Sequence, residues 1–375
     1  MDRTRMFHDP ATGKIWATRI DGLNVVLTSG APGKAKEMVK PHADDLSLRR
    51  FLEKEEGSRL RKGMVLADPH ATAGAPCMLR YLGRGYTGAL AIAEFEESLL
   101  VNQYDDARQG DALWRVARDG SGESFAFVGQ NSLVWKLMPV PERRTVLFRA
   151  DHQIRVWDPT TNGIDALTPP NKTPASFLDC QGAVAAWYEE PELVVRDLAG
   201  EKDLLRLNIE PERYAGHSPQ LTGALSADGA LLAHCAKAGH ILIHDITSRM
   251  LRSSIQGDFE MVNKLAFTAD DRRVLVKEKY GRWRLMAFEL ASGEPVATWP
   301  NLNDLGDGDF AIDTEHDRLA FFSRGLAHVY ELPTMRKHGE LRIDQVAKSA
   351  ALAWTHDGLL AVRTDLGCVG LYRVE

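Results

Sequence analysis

Cysteine is scarce in this 375-residue chain, with four residues scattered at positions 77, 180, 235 and 368. No Cys-x-x-Cys pair exists, so neither a zinc knuckle nor a dithiol redox motif is expected, and buried reduced thiols are the simpler state. Long apolar runs are missing as well. Nowhere do eighteen apolar residues follow one another, and Met1-Asp2-Arg3-Thr4-Arg5-Met6 leads into no apolar segment. A membrane-spanning helix and a cleavable export signal are therefore not expected, and a cytoplasmic location is. The familiar catalytic signatures are absent too: no Gly-x-Ser-x-Gly elbow, no Gly-x-x-x-x-Gly-Lys loop and no His-Glu-x-x-His helix. An enzyme, a resident metal and a cofactor are accordingly not expected.

What is present is a period. A bulky residue followed by a usually acidic one recurs at Trp114-Arg115, Trp157-Asp158, Arg196-Asp197, His244-Asp245, Phe288-Glu289, Tyr330-Glu331 and Tyr372-Arg373, at steps of 43, 39, 48, 44, 42 and 42 residues. A period near forty with turn sequences between the units is the signature of four-stranded propeller blades. Within the fourth unit, Leu221 to Ser226 reads as strand, Ala227-Asp228-Gly229 as turn, Leu231 to Ala236 as strand, Ala238-Gly239 as turn and His240 to Asp245 as strand. Ala224, Ala266, Ala311 and Ala353 recur at one place in successive units, where small side chains suit strands crowded at a ring centre.

The last unit shows strands near Ala350 to Trp354, Leu359 to Arg363 and Cys368 to Val374, with no fourth strand after them. Cys77 to Leu82, apolar and without a partner of its own, is expected to supply that outer strand and remove the open edge. The expectation is a mainly β protein: seven blades over residues 77–375, with residues 77–82 closing the last. This region resembles a divergent WD-repeat propeller, most clearly at Ile154-Arg155-Val156-Trp157-Asp158 and from Ala224 to Asp245, although most units lack the Gly-His pair that accompanies Trp-Asp in that family.

Residues 1–66 read as a small α+β domain. Lys14 to Ile20 and Leu23 to Thr28 are strands joined by the hairpin turn Asp21-Gly22, and Ala43 to Arg61 carries Leu46, Phe51, Leu52 and Leu60 at helical spacing before Lys62-Gly63 ends it. Residues 67–76, rich in Ala, Pro and Gly, read as a linker. The domain resembles the WGR domain of poly(ADP-ribose) polymerases and many bacterial proteins, through Lys14-Ile15-Trp16, Asp21-Gly22, Gly30 and Gly33, and Leu60-Arg61-Lys62-Gly63-Met64. The namesake motif is altered: Ser29-Gly30-Ala31 stands where the family has Trp-Gly-Arg, so the aromatic and the cation that suit DNA-end binding are lost. The resemblance implies a partner within a bacterial DNA-handling, defence or ATPase-associated assembly.

Charge is unevenly spread. Residues 1–70 hold 13 Lys and Arg against 10 Asp and Glu, a net +3, while the chain carries −6, leaving −9 on the remainder. Lys34, Lys36, Lys40, Arg49, Arg50, Arg61 and Lys62 are the candidate residues for binding a partner or a phosphate backbone. Glu53, Glu55 and Glu56 interleave with them, which points to a solvated mixed-charge face, and the basic domain can equally well be drawn to the acidic ring.

Other candidates read two ways. His234, His240 and His244 with Asp245 sit on neighbouring strands where a metal could be shared, yet His244 occupies the recurrent pair position. His316-Asp317 and His356-Asp357 lie in hairpin turns at matching places, with no nucleophile beside them. Trp135, Trp157, Trp187, Trp283, Trp299 and Trp354 fit packing between blades better than partner anchoring. Tyr104 to Gly120 and Glu210 to Gln220 read as lengthened, loop-like connections of the kind that carry binding. The function expected is a non-enzymatic adaptor whose propeller docks another protein within a larger complex. The alternative is a nucleic-acid sensor acting through the basic domain.

Overall fold

The computed structural model describes residues 4–31, 33–83, 90–172, 177–213, 221–279, 281–299 and 310–375. Short apolar runs broken by Gly- and Asp-containing turns form antiparallel strands, and six sheets of four strands stand alone, each with its strands in chain order. Their first strands are Ile92–Phe95, Val134–Val140, Leu178–Gln181, Thr222–Leu225, Val262–Phe267 and Phe310–Asp313. Each recurrent bulky-acidic pair falls on a third strand, as Trp157-Asp158 does on Gln153–Asp158 and His244-Asp245 on His240–Asp245.

First strands lie against first strands. Thr222–Leu225 touches Val262–Phe267, the Lys264 ammonium donates to the Phe310 carbonyl, Phe310–Asp313 touches Ala350–Trp354, and that strand returns to Ile92–Phe95. This is a propeller arrangement, with Ala224, Ala266, Ala311 and Ala353 on those inner strands. The sheets stack through their faces: Leu231 and Ile243 of one sheet meet Phe267, Val274 and Phe288 of the next, and each such side chain contributes about 1.5–3 kcal/mol on leaving water.

The N-terminal unit contains β1 (Thr4–His8), β2 (Ile15–Asp21), β3 (Asn24–Gly30), β4 (Lys36–Pro41), helix α1 (Asp45–Arg61), β5 (Val65–Ala67) and β6 (Pro76–Tyr81). Gly22 takes φ +58° at the β2–β3 turn. Asp44 caps α1 through the Ser47 N–H while the Ser47 hydroxyl accepts from the Asp44 N–H, and Gly63 at φ +89° follows the last turn. Leu48, Phe51, Leu52 and Leu60 of the helix pack on Phe7, Trp16, Val25 and Leu27 of the sheet. Strands β1 and β4 occupy stretches to which the sequence reading assigns no strand.

One expectation changes here. Residues 67–76 join β5 to β6, which are hydrogen-bonded neighbours, with Leu66 opposite Leu79 and Ala67 opposite Met78. Strand β6 also pairs with Cys368–Tyr372, placing Arg80 opposite Val369 and Met78 opposite Leu371. The result is one nine-stranded sheet running from Ala350–Trp354 through Leu360–Thr364, Cys368–Tyr372, β6, β5, β1, β2 and β3 to β4. Among the described residues six free-standing four-stranded blades are therefore found where seven were expected. The strands expected to form the seventh belong to the nine-stranded sheet, since β6 had a second edge to satisfy and β5 took it.

Tyr104 to Gly120 is likewise a correction: it contains the end of strand Ser98–Asp105 and the whole of its partner Gly110–Val116, so it is a hairpin and no insertion. Most of Glu210 to Gln220 lies outside the described residues. No helix among the described residues is long and apolar enough to cross a membrane.

Candidate interaction surfaces

The candidate cations gather around β4 and α1. Lys34 precedes β4, Lys36 and Lys40 lie on it, Arg49, Arg50 and Arg61 are on α1, and Lys62 caps the helix. Lys40 stands over the Phe51 ring, 4.8 Å from its centroid. Among the described residues none of the seven forms an ion pair. The glutamates that were expected to neutralise them are engaged elsewhere: Glu56 with Arg5 at 2.7 Å, Glu55 with Arg59 at 3.5 Å, and Glu53 with Arg342. None of these glutamates therefore pairs with any of the seven candidate cations.

The altered glycine loop has a structural reason for part of its sequence. Gly30 sits at φ +149°, and a Cβ there would lie 2.9 Å from the Ala35 Cα and the Lys34 carbonyl, so only glycine fits. Trp16, on the strand opposite, is buried against Phe7 at 5.4 Å with the Arg59 guanidinium over its ring at 5.3 Å. It packs helix to sheet and offers no surface for stacking.

A buried cluster joins this unit to the ring. Arg5 of β1 donates to Glu56 of α1 at 2.7 Å and to both oxygens of Asp344 at 3.2 and 3.0 Å, and the Asp344 N–H donates to the Tyr372 hydroxyl at 2.9 Å. Burial, joined by the nearby charge of Asp344, pushes the Glu56 carboxyl up to about 7 against the pull of Arg5. These buried groups hold the unit to the ring together with the exposed Arg342–Glu53 pair, and none of the seven candidate cations takes part.

The metal question has a different answer from the one the histidines suggested. His234 and His244 stack face to face at 5.2 Å, while His240 pairs with Lys237 at the far end of the hairpin. Neither ring nitrogen of His234 has a partner, and burial, helped by His244, lowers it to about 4. Among the described residues the group whose donor atoms do converge is Glu94, His356 and Asp357, within 4.8 Å of one another. Arg118 already occupies that position, donating to Asp357 at 2.6 and 2.9 Å and to Glu94 at 3.1 Å. A cation would have to displace a guanidinium. Burial works against the Asp357 charge, but Arg118 and the Thr355 hydroxyl prevail and hold it down to about 2, whereas Glu94 raises His356. His316 faces Asp313 at 3.0 Å, which is itself bound by Arg318 at 2.8 Å. These are contacts within and between sheets.

The tryptophans pack. Trp157 and Trp187 are buried, Trp135, Trp283, Trp299 and Trp354 are half-buried, and the Trp354 indole donates to the Ala311 carbonyl of the neighbouring sheet at 3.2 Å. A groove of about 540 Å³ that sequence inspection missed runs between the outer strand of the first sheet and the second sheet, lined by Phe125, Phe127, Gln153, Arg155, Asn162 and Ile164. Its lining comes from strands far apart in sequence, so no local signal announces it.

No family model and no curated protein matches this chain. Among solved structures, a chain in the crystal structure of a mitotic checkpoint complex is similar at 12% identity over 81% of this chain and 93% of that one, with a TM-score of 0.61. At that identity the likeness carries the fold alone: the chain has a β-propeller fold.

Proposed function

We propose that this protein is a non-enzymatic, cytoplasmic interaction scaffold whose propeller docks another protein within a multi-protein complex. The observation that carries this reading is that the converging charged groups bridge sheets: Arg118, Glu94, Asp357 and His356 link the first sheet to the last strands, and Asp179 accepts from the Leu225 N–H of the next sheet at 2.8 Å. These groups hold neighbouring sheets together. In this reading Ala350–Trp354, Leu360–Thr364, Cys368–Tyr372 and β6 act as the seventh blade. The N-terminal unit keeps a WGR-like order of strand, turn, glycine loop and helix end, which suggests a DNA-handling, defence or ATPase-associated assembly as the setting. The fold shared with a subunit of a checkpoint assembly is compatible with such a role.

Affinity purification of the tagged full-length chain from its native cells, with and without nuclease, tests the reading by mass spectrometry. A stoichiometric protein partner that survives nuclease is the expected result. Recovery of nucleic acid alone, lost with nuclease, would overturn it.

A further inference from the structure

Strand β4 ends the nine-stranded sheet, and its outer side pairs with no other strand among the described residues. The β3–β4 register is unbroken, and the His42 N–H bonds to the Leu23 carbonyl at 2.9 Å in continuation of it. Antiparallel pairs alternate between bonded and non-bonded, so Lys36, Met38 and Lys40 bond inward to β3. Glu37 and Val39 then present their N–H and C=O groups outward. Pro41 ends the row without a donor.

The side chains around this row are distinctive. Lys36, Met38 and Lys40 stand opposite Ser29, Leu27 and Val25, on the face that α1 covers, and Val39 stands on the other face opposite Val26. Met38 and Val39 are 56% and 58% exposed. On the other outer strands Arg206 pairs with Glu192 and Asp203, Lys337 with Glu340 and Arg336 with Glu331, while Lys202 and Arg252 form no ion pair among the described residues. On β4, Lys36 and Lys40 have no carboxylate partner among the described residues, and Lys34 flanks them.

From this we infer that β4 is a docking edge for an extended acidic segment of a partner protein, which adds as a further antiparallel or parallel strand. Main-chain bonds to Glu37 and Val39 supply the pairing, and alternate side chains supply the choice of sequence. Acidic residues fall on the α1 side against Lys36 and Lys40, and β-branched residues fall on the other side beside Val39. A second copy of this chain fits poorly, because two β4 edges would set lysine against lysine. The inference rests on the scaffold reading in naming a protein partner. Its test needs no native partner, so failure here leaves docking by the ring intact.

The probe is a fluorescently labelled peptide of four Glu-Val repeats, titrated with the full-length protein and read by anisotropy. A Lys-Val repeat and a random single-stranded oligonucleotide serve as comparisons. The expected result is saturable binding of Glu-Val alone, weakened at least tenfold by Val39→Pro and by Lys36→Glu. Val39→Pro removes an outward N–H and no β3–β4 bond, so the melting temperature should hold; should it fall, Glu37→Pro removes the other outward donor. Absence of saturable binding, or binding indifferent to the proline variants, overturns the inference. Tighter binding of the oligonucleotide, lost in Lys36→Glu, overturns it in favour of a phosphate-binding face.

Discussion

Arg118 and Asp357 lie 239 residues apart and meet through two hydrogen bonds of 2.6 and 2.9 Å. Arg118 follows the third strand of the first sheet, and Asp357 sits in the turn after Ala350–Trp354. Glu94, on the first inner strand, accepts from the same guanidinium and from the His356 N–H at 2.7 Å. Four side chains thus span the seam at which the ring closes on itself.

Breaking that seam is expected to be mild. Arg118 and Asp357 are 34% and 43% exposed, so Arg118→Ala should cost about 1 kcal/mol, as networked surface pairs do. Urea unfolding of Arg118→Ala, Asp357→Asn and the double variant should give a coupling of roughly 0.5–1 kcal/mol. Strictly additive effects would show that the pair contributes nothing to closure.

The cluster under α1 should matter more. Glu56→Ala leaves Arg5 buried with Asp344 alone, and the loss of one charged partner of a buried donor costs about 1–3 kcal/mol. Tyr372→Phe leaves the Asp344 N–H without its acceptor, a loss of about 1–3 kcal/mol. Thermal melts should record both, and limited proteolysis between residues 67 and 76 should accelerate in Glu56→Ala. Unchanged proteolysis would mean that the N-terminal unit is held mainly by the β5–β6 pairing.

His234 predicts a pH dependence. Its pKa falls from 6.5 to about 4 on folding, because burial disfavours the charged ring, so the unfolded chain binds the extra proton between those values. The stability is fully present above pH 6.5 and is lost as pH falls through 4, a difference of about 3 kcal/mol for a shift of that size. His234→Leu should flatten unfolding profiles across this window and be no less stable at pH 7. An unaltered acid slope would assign the effect to other groups.

At Gly30, alanine has no room. Its Cβ would meet the Ala35 and Lys34 backbone, and φ +149° is closed to side chains, so Gly30→Ala should cost about 1–3 kcal/mol. Hydrogen exchange should loosen in β3 and β4 while the six free-standing sheets keep their protection.

Much of this architecture was written in the order of residues. The recurrent pairs mark third strands because each blade repeats one buried pattern, and Asp21-Gly22 and Lys62-Gly63 mark a turn and a helix end through backbone demands that glycine meets. Strands β1 and β4 left weaker traces: Thr-Arg-Met-Phe-His carries a buried arginine whose partners are 51 and 339 residues away, and β4 is exposed along nearly its whole length. The partners of the α1 glutamates are hidden for a similar reason. Which glutamates remain free depends on Arg5 and Arg342, and one-dimensional spacing does not say where those arginines go.

The pairing of β6 with Cys368–Tyr372 has a further consequence, for the order of events during synthesis. Leu79 is made early and its partner Gly370 nearly 300 residues later, so at about 5–20 residues per second the edge of β6 waits roughly 15 to 60 seconds for its neighbour. Until then that edge stays open, and every sheet made in between must assemble without a closed circle around it. Loss of residues 368–372 would therefore be felt at once in β6 and in the strands that continue from it to β4.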